Sequence, residues 1–233
     1  MGFQIFFIIA EYIELGNSIF DSLSGLFLFL SLLIIVIFFI LDFTYPNQIF
    51  KIVFPPLVIF FLILSVAIYD QAIIAHGFLN KSPVFGKFLL YVHASCSMLG
   101  YLLFGVGCLT SIFFLYQEKK IKNKTLILQN VKVPSLGFLD TLNYKVITAG
   151  FLFLTVGILL GINMKIISSG GHVNLDVSLR QILPISTWTV YAIFLVDRFV
   201  NGLRGKTTAI WAITGFCVAI GSFAYEISLL IQR

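Results

Sequence analysis

Charged side chains cut this chain into long apolar runs. Uncharged stretches lie between Asp21 and Asp42, Lys51 and Asp70, Lys87 and Glu118, Lys145 and Lys165, Arg180 and Asp197, and Lys206 and Glu226. In that order they hold 20, 18, 30, 19, 16 and 19 residues. A helix needs about 20 apolar residues to cross a hydrocarbon core. Lipid offers no partner to backbone N–H and C=O groups, so each run is read as an α-helix that satisfies its own backbone. The pattern predicts an all-α, polytopic membrane helical bundle of about six transmembrane helices, forming a single integral membrane domain over residues 1–233. The third run is long enough to tilt or to project past the interface. The fifth is short, and Asp197 and Arg198 can sit at an interface and snorkel.

Between the spans, the segment Leu136–Lys145 follows Pro134 and mixes apolar with polar positions, which predicts a short amphipathic helix lying on the membrane before the fourth span. The loop Lys165–Arg180 is polar and glycine-bearing. At the N-terminus the apolar run Phe3–Ala10 is too short to span and is followed by Glu11 and Glu14, so it is read as interfacial. No Lys or Arg precedes Lys51, so the basic n-region of a signal peptide is missing.

Composition strengthens the membrane reading. The chain is 59% apolar, with 26 Phe, and only 11% charged, against about 25% charged in soluble domains. A soluble enzyme, a disulfide scaffold and a disordered chain are excluded. Cys96, Cys108 and Cys217 all lie in apolar stretches without a C-x-x-C pair, so they are read as small buried apolar side chains.

The distribution of Lys and Arg sets the orientation. With the N-terminus outside, ten of the fifteen basic residues fall in inner loops: Lys51, Lys119, Lys120, Lys122, Lys124, Lys132, Lys145, Arg198, Arg204 and Lys206. Both termini are therefore expected outside. The run Glu118–Lys124 is read as a topology determinant, not as a nucleic-acid site. This arrangement places His76, His93 and His172 on the outer side.

Candidate chemistry is sparse. No Ser/His/Asp arrangement, metal box or paired intramembrane carboxylate is evident, and the spans hold no acid or base except near their ends, which argues against a proton pump or an ion-coupled transporter. His93 is the one ionisable side chain of special interest in a span. A neutral imidazole can ligate iron through one nitrogen while the other is fixed by an acceptor; an interfacial His bonded to a carbonyl is the simpler reading. Gly150, Gly157 and Gly161 share one face of the fourth span, and Gly157-x-x-x-Gly161 allows close helix approach, as do Gly215 and Ala219 in the sixth. Cys96 and Gly100 follow His93 on roughly its face, where small side chains would leave space for a flat ligand.

Three segments carry a resemblance. Tyr91-Val-His93-Ala-Ser-Cys-Ser-Met-Leu-Gly-Tyr101 is one; Leu139-Asp-Thr-Leu-Asn-Tyr-Lys145, then Gly150-Phe and Thr155–Gly161, is the second. Trp188–Arg198, then Gly202-Leu-Arg-Gly-Lys206, is the third. In order and spacing they resemble the cytochrome c assembly family, which includes the CcsA/ResC haem-handling proteins and the HemX-like proteins. The family-like core covers about residues 88–220. The resemblance implies an integral protein of a bacterial inner (cytoplasmic) membrane or its plastid equivalent. It implies haem as the group handled, with His93 as axial ligand and His172 or His76 opposite it.

The departures narrow what is implied. Family members that ligate haem on the outer face carry a tryptophan-rich W-G-x-x-W-x-W-D segment between the fourth and fifth spans. This chain has Gly170-Gly-His-Val-Asn-Leu-Asp176-Val-Ser-Leu179 there, and Val196 where the synthases carry a fifth-span histidine. HemX-like proteins are the nearer pattern. The expected function is haem binding or handling in cytochrome c assembly, without complete haem-ligase activity. The alternative is a non-catalytic anchoring or regulatory subunit of a larger membrane complex. Expected partners are the lipid bilayer and membrane proteins of a cytochrome assembly or electron-transfer complex.

Overall fold

The computed structural model describes residues 23–45, 48–67, 84–123, 134–168 and 179–231. His76, His172 and the segment Phe3–Ala10 lie outside them. The described residues form six α-helices: α1 Leu23–Thr44, α2 Gln48–Ala67, α3 Val84–Lys122, α4 Leu136–Ser168, α5 Leu179–Asn201 and α6 Lys206–Ile231. All six contain a stretch long and apolar enough to cross a membrane, so the chain is an integral membrane protein, all-α among the described residues. At about 1.5 Å per residue, the 39 residues of α3 exceed a hydrocarbon core of about 30 Å.

The chain divides into two compact units, one built on α1 and α2 and one spanning Phe88–Ile227. In the first, α1 and α2 form an antiparallel hairpin. The Ser65 hydroxyl donates to the Ser24 carbonyl at 2.9 Å, Phe27 stacks on Phe61, and Lys51 pairs with Asp42 at 3.5 Å near the turn. Pro55 and Pro56 lie inside α2, where each removes one backbone donor from the helix ladder.

The second unit packs α3, α4, α5 and α6 around a stacked aromatic pair. Phe104 of α3 and Tyr191 of α5 lie with ring centroids 3.7 Å apart, 12° from parallel. Glycines on the other two helices make room for them. A Cβ at Gly150 would stand 3.0 Å from the Phe104 ring, and one at Gly215 would stand 2.9 Å from the Tyr191 ring. Ile147, Leu154, Phe194 and Ala212 complete this core.

The exterior is apolar as well as the interior. Phe43 and Phe199 are 93% and 86% exposed, while Thr110, Ser111, Asn143, Thr187, Thr208 and Ser222 are buried. The outer surface can face lipid, and the buried polar groups find partners within their own helix, as Thr187 does at Leu183, or on another, as Asn143 does at Gly107.

Three details depart from the sequence reading. Leu136–Lys145 is not a separate interfacial helix. It forms the first turns of the continuous α4, because Leu139, Leu142, Asn143 and Val146 are buried within the unit. Arg198 is not a lone end-of-span charge; it pairs with Asp140 of α4. Of the cysteines, Cys108 is buried, Cys96 half-buried and Cys217 exposed, so Cys217 belongs to the outer apolar surface.

Candidate functional site: the seam between α3 and α4

Small residues bring α3 and α4 into close, antiparallel contact. A Cβ at Gly107 would meet the Ile147 side chain at 2.8 Å, and one at Gly100 would meet the Gly150 carbonyl oxygen and the Leu154 nitrogen at 3.1 Å. One at Gly157 would meet Ser97 Oγ at 2.5 Å, and one at Gly161 would meet His93 Cε1 at 2.9 Å. The seam thus steps along α3 from Gly107 to His93 while it climbs α4 from Ile147 to Gly161. The expected helix contact at Gly157 and Gly161 is present, and its partner is the histidine turn of α3. The expected space beside Gly100 is not: backbone and side-chain atoms of α4 fill it.

His93 sits half-buried near the start of α3. Its Nδ1 lies 2.7 Å from the Gly157 carbonyl oxygen. A carbonyl can only accept, so in the neutral ring the proton of this bond sits on Nδ1 and Nε2 becomes the basic nitrogen. The Gly157 oxygen can serve the helix ladder and the imidazole together because it has two lone pairs. Among the described residues, no group of three or more His, Cys, Asp or Glu converges. His76 and His172, the other two candidate ligands, lie outside those residues.

The other end of the unit holds a second polar cluster. Asp140 of α4 accepts from Arg198 of α5 through both carboxylate oxygens, at 3.2 and 2.8 Å. Its Oδ1 also accepts from the Gly205 backbone N–H and the Thr208 hydroxyl, each at 3.1 Å. Arg198 packs over the Tyr144 ring at 4.8 Å. Gly202 and Gly205 take positive φ, 64° and 75°, so the turn from α5 to α6 can bring its backbone donor onto the carboxylate. Asp140, Arg198 and Gly205 come from the resembling segments around 139–145, 188–198 and 202–206, and the fold makes them one site.

The sequence reading missed the uncharged polar contacts. Asn143 Nδ2 donates to the Gly107 carbonyl at 2.7 Å and to Ser111 Oγ at 2.6 Å. Trp188 Nε1 donates to Thr155 Oγ1 at 2.9 Å, and Phe151 stacks on the Trp188 ring. Tyr101 and Ser222 hydroxyls pair at 3.1 Å. The available signal was the isolated amide or hydroxyl within an apolar helical run, which interhelical partners satisfy.

Comparison with known proteins places this architecture. Similar curated proteins include several named cytochrome c biogenesis protein CcsA. The protein from Prochlorococcus marinus (strain NATL1A) is 36% identical over 117 residues, half of this chain and 36% of its own length. That from Chlamydomonas reinhardtii is 33% identical over 129 residues, 55% of this chain and 35% of its own length. That from Spinacia oleracea is 29% identical over 194 residues, 65% of this chain and 59% of its own length. The matches thus span about a third to three-fifths of these relatives. No solved structure matches significantly. The sequence profile described as Cytochrome C assembly protein matches residues 21–230, a wider stretch than the three segments alone, and the chain belongs to that family.

Proposed function

We propose that this chain binds or hands on haem in cytochrome c assembly, with His93 as an axial ligand. The observation that carries the reading is the bond from His93 Nδ1 to the Gly157 carbonyl. It fixes the position of the imidazole against α4, as the partner of a ligating histidine does. The name of the relatives, cytochrome c biogenesis protein, supports the process. Haem is the cargo, and the chain's part is to hold it and orient it at the outer end of α3. His172 supplies the opposite ligand, with His76 as the other candidate. Joining haem to an apocytochrome falls to a protein that contributes the tryptophan-rich segment, because residues 170–179 contain no Trp.

The same proposal fixes a side. The unit's Asp140 end carries exposed Lys119, Lys145, Arg204 and Lys206, and by the positive-inside rule that end faces inward. His93, at the opposite end of the α3–α4 seam, then faces outward, as do both termini. A cysteine placed at Lys119 should react with a membrane-impermeant thiol reagent only after the membrane is opened. Labelling in sealed cells would overturn this orientation.

The test of haem binding is the absorption spectrum of detergent-purified protein with added haemin. A low-spin spectrum is expected for the wild type. His93→Ala should abolish it, and His172→Ala should turn it towards high spin. If the wild type with excess haemin gives only the spectrum of free haemin, the haem reading fails and the membrane-anchoring subunit takes its place.

A further inference from the structure

We infer that the turn from α5 to α6 binds the headgroup of an anionic phospholipid, with Arg204 and Lys206 as the cations that meet its phosphate. The inference stands apart from the haem reading. Phospholipid phosphates border both faces of a bilayer, so it also holds whichever side this end of the unit faces.

The acids at this end are engaged within the protein. Glu118 pairs with Lys122 at 2.7 Å. Asp197 accepts from Asn201, one turn further along its own helix. Asp140 receives Arg198, the Gly205 N–H and the Thr208 hydroxyl. Arg204 and Lys206 are exposed, and neither side chain has a hydrogen bond or an ion pair among the described residues. Two unpaired cations thus flank Gly205, whose backbone is tied to Asp140 at 3.1 Å.

Position in the membrane supplies the partner. The turn joins two candidate spans, Gln181–Asn201 and Lys206–Tyr225, so residues 202–205 lie at the edge of the hydrocarbon. Just before them, Phe199 and Val200 are 86% and 70% exposed, at the depth of acyl chains. Arg204 and Lys206 follow at the depth of phosphates. A phospholipid has its parts in the same order, an apolar tail and then an anionic head. A free anion would meet only the cations, and an acidic protein segment would leave Phe199 and Val200 uncovered.

The turn is also held in shape. Gly202 and Gly205 take positive φ, and the Asp140 contacts fix the backbone between the two cations. Side chains on a fixed backbone lose less freedom on binding. Arg204 offers a planar fork to two phosphate oxygens, and Lys206 adds a point charge. Lys119 is the contrast. It is exposed on α3, but its neighbours are engaged: Lys120 lies over the Tyr116 ring at 4.8 Å, and Lys122 is paired with Glu118.

The experiment measures lipid binding to the full chain, purified in detergent, by native mass spectrometry. The probes are phosphatidylglycerol and phosphatidylcholine with identical acyl chains. The wild type should hold the first phosphatidylglycerol more tightly than phosphatidylcholine. A Lys or Arg near anionic lipid is worth about fivefold in affinity. Arg204→Gln should therefore weaken phosphatidylglycerol about fivefold, and Arg204→Gln with Lys206→Gln about 25-fold. Phosphatidylcholine binding should be unchanged in both. The substituted side chains are exposed and unpaired, so the fold should be kept. Lys119→Gln should leave the preference intact. Equal binding of the two lipids by the wild type overturns the inference, as does a double variant that behaves like the wild type. An equal loss in Lys119→Gln would assign the effect to general positive charge and remove the site. Inorganic phosphate or a polyglutamate peptide at the lipid's concentration should not displace phosphatidylglycerol. Displacement would assign the cations to a free anion or to an acidic protein and overturn the lipid assignment.

Discussion

Helix α4 carries a polar contact near each end, and the two are built on opposite principles. At the Asp140 end a carboxylate gathers two guanidinium nitrogens, a hydroxyl and a backbone N–H from α5, α6 and their turn. The charges cancel, both carboxylate oxygens are engaged, and three elements become fixed to one another. At the Gly157 end an imidazole ring meets a backbone carbonyl where glycines leave room for it. That contact orients the imidazole against α4. A closed network of charges ties three elements together, whereas the histidine contact depends on how closely two helices approach.

The largest effect should come from breaking the charged end. Asp140→Ala would strand Arg198 against the Tyr144 ring with its charge mostly shielded from water. Removing one partner of a buried pair costs about 3–5 kcal/mol. Thermal unfolding in detergent should show a large fall in midpoint. A midpoint equal to that of the wild type would mean that the network does not hold α5 and α6.

The seam should be next. Gly161→Leu overfills a contact already at its limit and should cost about 1–3 kcal/mol. Leu159→Ala, on an exposed position of the same helix, should change detergent stability little. Equal and negligible effects would mean that the Gly161 face looks into lipid.

Asn143 lies between the two ends and tests whether uncharged polar contacts add to either. Asn143→Ala removes the donor to Gly107 and Ser111 and should cost about 1–2 kcal/mol, near the upper range for side-chain hydrogen bonds between membrane helices. Smaller still, Ser222→Ala removes one hydroxyl partner of Tyr101, with an expected loss of about 0.6 kcal/mol. A double variant with Tyr101→Phe should be no worse than Ser222→Ala alone if the pair is the whole effect.

Much of the candidate site could be read from its letters, but not its assembly. His93 stood out because it is ionisable within an apolar run, and Gly157 and Gly161 because their spacing repeats on a helix face. Nothing in either pattern says that they meet, since 64 residues separate His93 from Gly157. Asp140 and Arg198 were legible as members of resembling segments, yet Arg198 read as an interfacial charge. Its partner is 58 residues away, and hydropathy carries no information about partners. The empty space expected beside Gly100 failed for a related reason: a missing side chain on one helix can serve a ligand or a neighbouring helix equally well.

The six spanning helices among the described residues, and the family, were legible in the order of the residues alone. A hydrocarbon layer imposes one length scale and forbids unpaired backbone, so a one-dimensional count of apolar residues is enough. Only the tertiary structure decided that α4 runs unbroken through Lys145, that Asp140 closes onto Arg198, and that His93 leans on the Gly157 carbonyl. Those outcomes depend on which faces of separate helices come within about 3 Å of each other. That is settled by the fit of glycines against rings and backbone in three dimensions, which no summed property of a segment contains.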